Sequence, residues 1–148
     1  MITKRMLTAG AMAIASAALL AAQGAKVPTQ TVKGLQVSVK SVERTDKASL
    51  RDCPPGTNTV NAVQRPGDEI AVVTVNFKVM PDFKPGPMKR PTVTAADDKV
   101  YNTSIQFVDV GSVPEYACQF VYRVQLGTKL KALQIEGASF DISALESK

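Results

Sequence analysis

The side chains that could carry out chemistry in this chain are mainly carboxylates, because its 148 residues include no histidine. A Ser-His-Asp triad, its Cys-His relatives and the usual histidine-bearing zinc and copper sites are therefore excluded. The candidate acids and bases are Asp68 with Glu69, Asp97 with Asp98, and the isolated Glu115. Adjacent residues of a strand point to opposite faces, so neither pair is arranged as a catalytic dyad. We therefore predict no catalytic residues.

The acidic pair Asp97 and Asp98 is better explained by a turn than by a metal site. Calcium requires roughly six to eight oxygen ligands, and only Asn102 and Asp82 are obvious further donors. Two methionines in a proline-rich segment offer thioethers, which make a weak soft-metal site without a histidine or a free thiolate. We therefore predict neither a metal nor another cofactor.

The proline-rich segment Met80–Pro91 carries a cluster of cations. Four of its twelve residues are proline, which excludes a regular strand ladder and stiffens the chain. A stiff exposed loop loses less conformational entropy on binding, as a recognition element requires. The alternative is a passive connection whose charges serve only solvation. The candidate partner-binding residues are Phe83, Lys84, Met88, Lys89 and Arg90.

The N-terminal segment Met1–Gly24 is organised like an export signal. Lys4 and Arg5 precede the apolar run Met6–Ala22, and small residues follow at its end. The run is short and weakly apolar for a membrane span, which needs about 20 residues. We predict that residues 1–24 are a signal peptide and that residues 25–148 form one domain, secreted or periplasmic, with no transmembrane anchor after processing.

Export also fits the two cysteines, Cys53 and Cys118. In an oxidising compartment, two cysteines of one chain can pair within the molecule only with each other. Such a bridge would stabilise the fold by about 4 kcal/mol in the chain-entropy model. We therefore predict a structural disulfide.

The elements that position these residues are strands, because apolar residues alternate with polar ones between turn signals. The strongest example is Glu69–Val79, whose length and β-branched content predict a central strand. No segment after the signal shows a sustained helical stripe. The other predicted strands are Thr31–Glu43, Thr92–Ala96, Lys99–Asn102, Ile105–Val110, Glu115–Val124, Leu130–Glu136 and Ala138–Ile142, together with a short segment around Thr59–Val63.

This pattern of short strands predicts an all-β fold, an antiparallel sandwich of seven or eight strands. A barrel is the alternative. The core would consist mainly of valine, leucine, isoleucine and alanine, since the chain has no tryptophan and only eight phenylalanine and tyrosine residues. The absence of tryptophan removes the buried indole that antibody-type domains carry.

Several segments resemble bacterial extracellular immunoglobulin-like domains of unknown function, the family of a mycobacterial immunogenic secreted protein. The valine-rich Ala71–Phe77, the acidic turn and tyrosine within Ala95–Tyr101, and Phe120–Val124 followed by Leu130–Ile135 carry the likeness. It spans roughly Leu35–Ile142. The resemblance implies an immunoglobulin-like sandwich, and it supplies no catalytic residues to transfer.

Two functional classes remain. The first is an exported, non-enzymatic binding module whose loops or sheet edges contact a protein, glycan or envelope component. The second is a small-ligand carrier or a carboxylate-dependent enzyme of the cell envelope, which would use Tyr101, Tyr116 or Tyr122 beside carboxylates. A pocket lined by two separated carboxylates would favour the second class. Nucleic acid is not an expected partner, because a basic stripe with interleaved aromatics is missing. We expect a binding module and not an enzyme.

Overall fold

The computed structural model describes residues 27–49, 61–86, 88–103 and 113–146. The predicted signal peptide, Cys53 and the predicted strand Ile105–Val110 lie outside these ranges and stay predictions. None of the described segments forms a helix with the length and apolarity needed to cross a bilayer. The described helical structure is one short 3-10 turn, Ser143–Leu145.

The described residues form ten strands, and most of the predicted strands are confirmed. Eight of them make two four-stranded antiparallel sheets, in the orders β1-β2-β5-β8 and β10-β9-β6-β7, while β3 pairs with β4. The strands are β1 Thr29–Val32, β2 Leu35–Thr45, β3 Lys47–Ser49, β4 Asn61–Val63, β5 Asp68–Val79, β6 Thr92–Ala95, β7 Val100–Asn102, β8 Glu115–Gln125, β9 Leu130–Ile135 and β10 Ala138–Asp141.

The two sheets share one buried cluster, which makes the molecule a β-sandwich. β5 is central as predicted, because it pairs with β2 on one side and β8 on the other. Aromatic rings contribute to this packing: Phe77 stacks on the half-buried Tyr116 at 5.2 Å between ring centroids and meets Phe120 edge-on at 6.2 Å. Such pairs stabilise by about 0.5–1.5 kcal/mol beyond the apolar area they bury.

The prediction of one continuous strand over Thr31–Glu43 was wrong. The chain reverses at Lys33 and Gly34, where both residues have positive φ, 48° and 77°, as a two-residue type I′ hairpin requires. Val32 and Leu35 are three residues apart and therefore out of phase for a single strand, which is the sequence signal of a reversal at Lys33 and Gly34.

A β-bulge in β2 changes which residues face the interior. The pairing with β5 shifts between Val39 and Ser41. Val39 is buried before the bulge, and Val42 is buried after it. Because side chains alternate along a strand, one extra residue moves every later side chain to the other face. The bulge thereby turns Arg44 toward the same side as Val42.

Gly34 allows the proline-rich loop to lie directly against the β1–β2 hairpin. A Cβ at this position would lie 2.6 Å from the Cα of Phe83 and 2.9 Å from its nitrogen. The Met80 amide also donates to the Gly34 carbonyl at 2.9 Å. Only glycine combines the positive φ with this approach of backbone to backbone.

We predict that Gly34→Ala lowers the free energy of unfolding by about 2–4 kcal/mol, since a left-handed alanine costs roughly 1–2 kcal/mol and the contact with Phe83 adds overpacking strain. Gly127→Ala is the matched control, because Gly127 has φ 80° but a Cβ added to it would meet no atom within 4 Å. Urea denaturation of both variants measures the difference. Equal losses in the two variants would contradict the close contact.

Candidate functional site

Three of the five predicted partner-binding residues, Phe83, Lys84 and Met88, line one pocket at the end of the sandwich where β2 begins, and Lys89 and Arg90 follow Met88 along the chain without lining it. Phe83 and Met88 are half-buried, whereas Lys84, Lys89 and Arg90 are exposed. The pocket has a volume of about 210 Å³. We call this surface, made of the five predicted residues together with Lys33, Leu35, Gly86 and Glu136, the loop site. The residues that line its pocket are Lys33, Leu35, Phe83, Lys84, Gly86, Met88 and Glu136.

The loop is held at both of its ends. At its start, the Phe83 amide donates to the Met80 carbonyl at 3.0 Å, beside the contact with Gly34. At its finish, the buried hydroxyl of Tyr122 donates to the Pro91 carbonyl at 3.1 Å. Burial raises the pKa of Tyr122 well above its ordinary value, so this hydroxyl stays protonated and remains a donor. The segment is therefore a positioned surface of the sandwich.

Glu136 joins the loop to two hairpins, and reasoning from the sequence missed it. Its carboxylate accepts from Lys33 Nζ at 2.7 Å and from the Lys89 amide at 2.6 Å. Its side chain is only 8% exposed. Glu136 and Gly137 form the two-residue turn between β9 and β10, with φ 49° and 85°. A glutamate before glycine between two strands is the sequence signal that could have drawn attention to this position.

The pKa of Glu136 shows how strongly the loop site holds this carboxylate. Desolvation raises the pKa, but hydrogen bonds from Lys33 and the Lys89 amide, with the positive charges of both lysines, outweigh it, and the net shift is downward. The charged form is therefore the stable form in the folded protein. The carboxylate fixes Lys89 in place while leaving its ammonium group exposed.

The loop site has a surplus of positive charge. Of its nine residues, Lys33, Lys84, Lys89 and Arg90 are cationic and Glu136 is anionic. Within the described residues, no carboxylate forms a salt bridge with the side chains of Lys84, Lys89 or Arg90; the Lys33–Glu136 pair is the salt bridge at this end.

A second pocket lies at the other end of the sandwich, about 30 Å away along β2. It has a volume of about 470 Å³ and is lined by Arg44, Glu69 and Glu146 among others. The Arg44 guanidinium donates to Glu69 at 3.0 Å, to Glu146 at 2.6 Å and to the Thr128 carbonyl at 2.6 Å. Glu146 also accepts from the Leu130 amide at 2.7 Å. Glu146 thereby holds the C-terminal segment against β2 and β9, and Glu69 pairs with the same guanidinium from β5.

The remaining sequence candidates occupy structural positions. The predicted turn at Asp97 and Asp98 is confirmed: Asp97 accepts from the Lys99 amide at 3.1 Å, and Asp98 pairs with Lys131. Cys118 is fully buried on β8, and its disulfide with the other cysteine stays a prediction. No cluster of three potential metal ligands occurs among the described residues.

The tyrosines and the other acidic candidates do not meet at one place. Tyr122 lies in the core and Tyr101 and Tyr116 are half-buried, while Glu115 is exposed at the start of β8. Asp68 lies at the start of β5, beside Glu69 of the second pocket. The structure therefore brings Phe83, Lys84 and Met88 to one pocket, whereas the tyrosines and the acidic candidates are spread over different parts of the sandwich.

Comparison with known proteins supports the fold. The chain is similar to a crystal structure of an uncharacterized β-sandwich protein from Clostridium difficile 630, with a TM-score of 0.50 and 6% sequence identity. The match covers 75% of this chain and 85% of that chain. No protein-family model and no curated protein matches the sequence. At this identity the likeness shows a β-sandwich, and the more specific immunoglobulin-like family stays a prediction.

We predict that Glu136→Gln lowers the free energy of unfolding by about 1 kcal/mol at neutral pH, because the neutral amide cannot form the ion pair that the Glu136 carboxylate makes with the largely exposed Lys33. A carboxylate whose pKa is lowered on folding stabilises the protein above its unfolded-state pKa, about 4.5, and this contribution is lost as pH falls through the folded-state pKa. The difference between wild type and variant should therefore vanish in acid.

Urea denaturation at a series of pH values tests this prediction. Glu115→Gln is the control, because Glu115 is exposed and forms no salt bridge with a described residue. A Glu136→Gln effect that persists unchanged in acid would show that the carboxylate charge is not what holds the loop.

Proposed function

We propose that this protein is an exported, non-enzymatic binding module of immunoglobulin-like type, and that its loop site binds an anionic partner. The predicted export signal and the resemblance of the sequence to bacterial extracellular immunoglobulin-like domains support the location and the class. The loop site supports the mode of binding. The partner is a protein, a glycan or another envelope component.

The observation that carries the proposal is the exposed set of cations on a loop held by the rest of the fold. Lys84, Lys89 and Arg90 are exposed, and their charges are not neutralised by salt bridges with described carboxylates. Because the loop is anchored through Gly34, Glu136 and Tyr122, the backbone that carries these cations is already positioned, and less backbone entropy is lost when a partner binds.

Electrostatics favours association with an anionic surface. Residues 25–148, which remain after the predicted cleavage, have a net charge of +3, because Lys4 and Arg5 are removed from a chain of net charge +5. A concentrated positive patch accelerates encounter with a negative partner. Exposed charges farther apart than the Debye length, about 8 Å at physiological ionic strength, are largely screened. Binding through the loop site should therefore weaken as salt is added.

The second candidate function is a small-ligand carrier or carboxylate-dependent enzyme. The pocket that contains Arg44 favours it, because Glu69 and Glu146 are two separated carboxylates in one cavity. Both, however, accept hydrogen bonds from the same guanidinium. A general acid or base needs a carboxylate that reaches the substrate, so this arrangement supports an anchoring role better than a catalytic one.

We predict that Lys84→Ala, Lys89→Ala and Arg90→Ala together remove salt-sensitive binding to a native envelope extract and leave stability nearly unchanged, because all three side chains are exposed. The matched control replaces Lys40, Lys47 and Arg65, which are also exposed and change the net charge equally. Quantitative mass spectrometry of the captured material compares both variants with wild type.

The expected result is that the loop variant loses at least one component that the control variant retains. Equal capture by wild type and both variants would contradict an anionic partner at this loop. Equal losses from both triple variants would show that net charge, and not the loop site, governs retention.

A further inference from the structure

The cations of the loop site select a partner by its negative charge, and the pocket within the site also selects it by the shape of the group that enters. We propose that the loop site recognises an acidic peptide segment of a partner protein and that its pocket receives one apolar side chain of that segment. This inference rests on the proposed function, because it names the chemistry of the anionic partner.

The floor and wall of the pocket are apolar. Leu35 is only 3% exposed, and the half-buried Phe83 and Met88 pack against the same core. Methionine adapts to side chains of different shape. The volume of about 210 Å³ is below the roughly 300–1,000 Å³ of typical small-molecule sites. A single large apolar side chain suits this space better than a cofactor or an extended lipid.

The rim of the pocket is cationic. Lys33 has a side chain that is 69% exposed although its Nζ contacts Glu136, and Lys84 also belongs to the pocket lining. Lys89 and Arg90 follow along the loop. An extended peptide with one apolar side chain in the pocket would place its flanking residues over this rim, where carboxylates would meet ammonium and guanidinium groups.

Other occupants fit these observations less well. A second copy of the chain would bring like charges together, because the protein is basic. An anionic bilayer is a broad surface that is best met by protruding apolar and basic side chains, whereas the apolar floor here is recessed behind the cations. An acidic peptide satisfies both the recessed floor and the charged rim.

Gly86 provides a direct test of the pocket. It lines the cavity, and a Cβ placed on it would meet no atom within 4 Å. The φ of Gly86 lies outside the left-handed region, so other residues can adopt the same backbone conformation. Replacement by a large residue should therefore fill the pocket without straining the backbone. Gly86→Phe is the blocking variant and Gly86→Ser is its control, and both keep every charge of the loop site.

The experiment selects a random displayed-peptide library on the mature domain, residues 25–148, and then measures affinities of the selected peptides. We expect enriched peptides to carry an apolar residue flanked by aspartate or glutamate. Replacing that residue, when it is leucine, by alanine should weaken binding about 50-fold, from the transfer free energy of the three lost carbons. Gly86→Phe should weaken binding at least about tenfold, and Gly86→Ser should leave it unchanged.

The outcomes separate this inference from the proposed function. If the triple cation variant loses binding but Gly86→Phe binds normally, the anionic partner stands and the pocket inference is overturned. If selection yields no acidic peptide while vesicles of anionic lipid bind in a loop-dependent way, the peptide is the wrong partner. If neither variant affects any binding, both proposals fail. Circular dichroism and urea denaturation confirm that each variant is folded.

Discussion

The close contact between Gly34 and the backbone of Phe83 is the constraint on which the loop site depends. It places the start of the proline-rich loop on a hairpin turn at the end of the sandwich, where a side chain on residue 34 would leave no room. Without this contact the loop could not lie over Leu35, and the pocket would lose the apolar side chains of Phe83 and Met88. The backbone therefore sets the position of the site before any charged side chain contributes.

Electrostatic contacts refine that placement. Lys33 and Glu136 occupy the first positions of two type I′ turns, although φ near 50° is unfavourable for either residue. The cost of this conformation is roughly 1–2 kcal/mol for a non-glycine residue. Glu136 offsets part of it by accepting from both Lys33 and the Lys89 amide. The two strained turns are thus joined to each other and to the end of the loop that carries the free cations.

The sequence predicts the sandwich better than it predicts the site. Alternation and turn residues are local, so strands such as β5 and β8 and the turn at Asp97 and Asp98 could be predicted with nearly correct bounds. The first hairpin was missed, although Lys33 and Gly34 separate Val32 from Leu35 and the apolar phase changes there. The position of the bulge in β2 could not be predicted, since it depends on pairing with β5.

The proline-rich loop could be identified from the sequence, because prolines and cations are conspicuous there. Its pocket could not be predicted. Leu35 and Glu136 lie about 100 residues apart, and only the packing of two hairpins brings them together. The pairing of Arg44 with Glu146 was likewise out of reach, because it requires the bulge that redirects Arg44. Long-range contacts decide which charges remain available to a partner, and spacing along the chain carries little information about them.

The proline-rich loop is fixed on the sandwich before any partner binds. Amide hydrogen exchange in the isolated domain tests this most directly. The amides of Met80 and Lys89 donate to Gly34 and Glu136, whereas the Lys84 amide is on the exposed middle of the loop. Met80 and Lys89 should exchange at least about 100-fold more slowly than Lys84, since their exchange requires local opening. Exchange of all three amides at the same unprotected rate would contradict a loop that is fixed in advance.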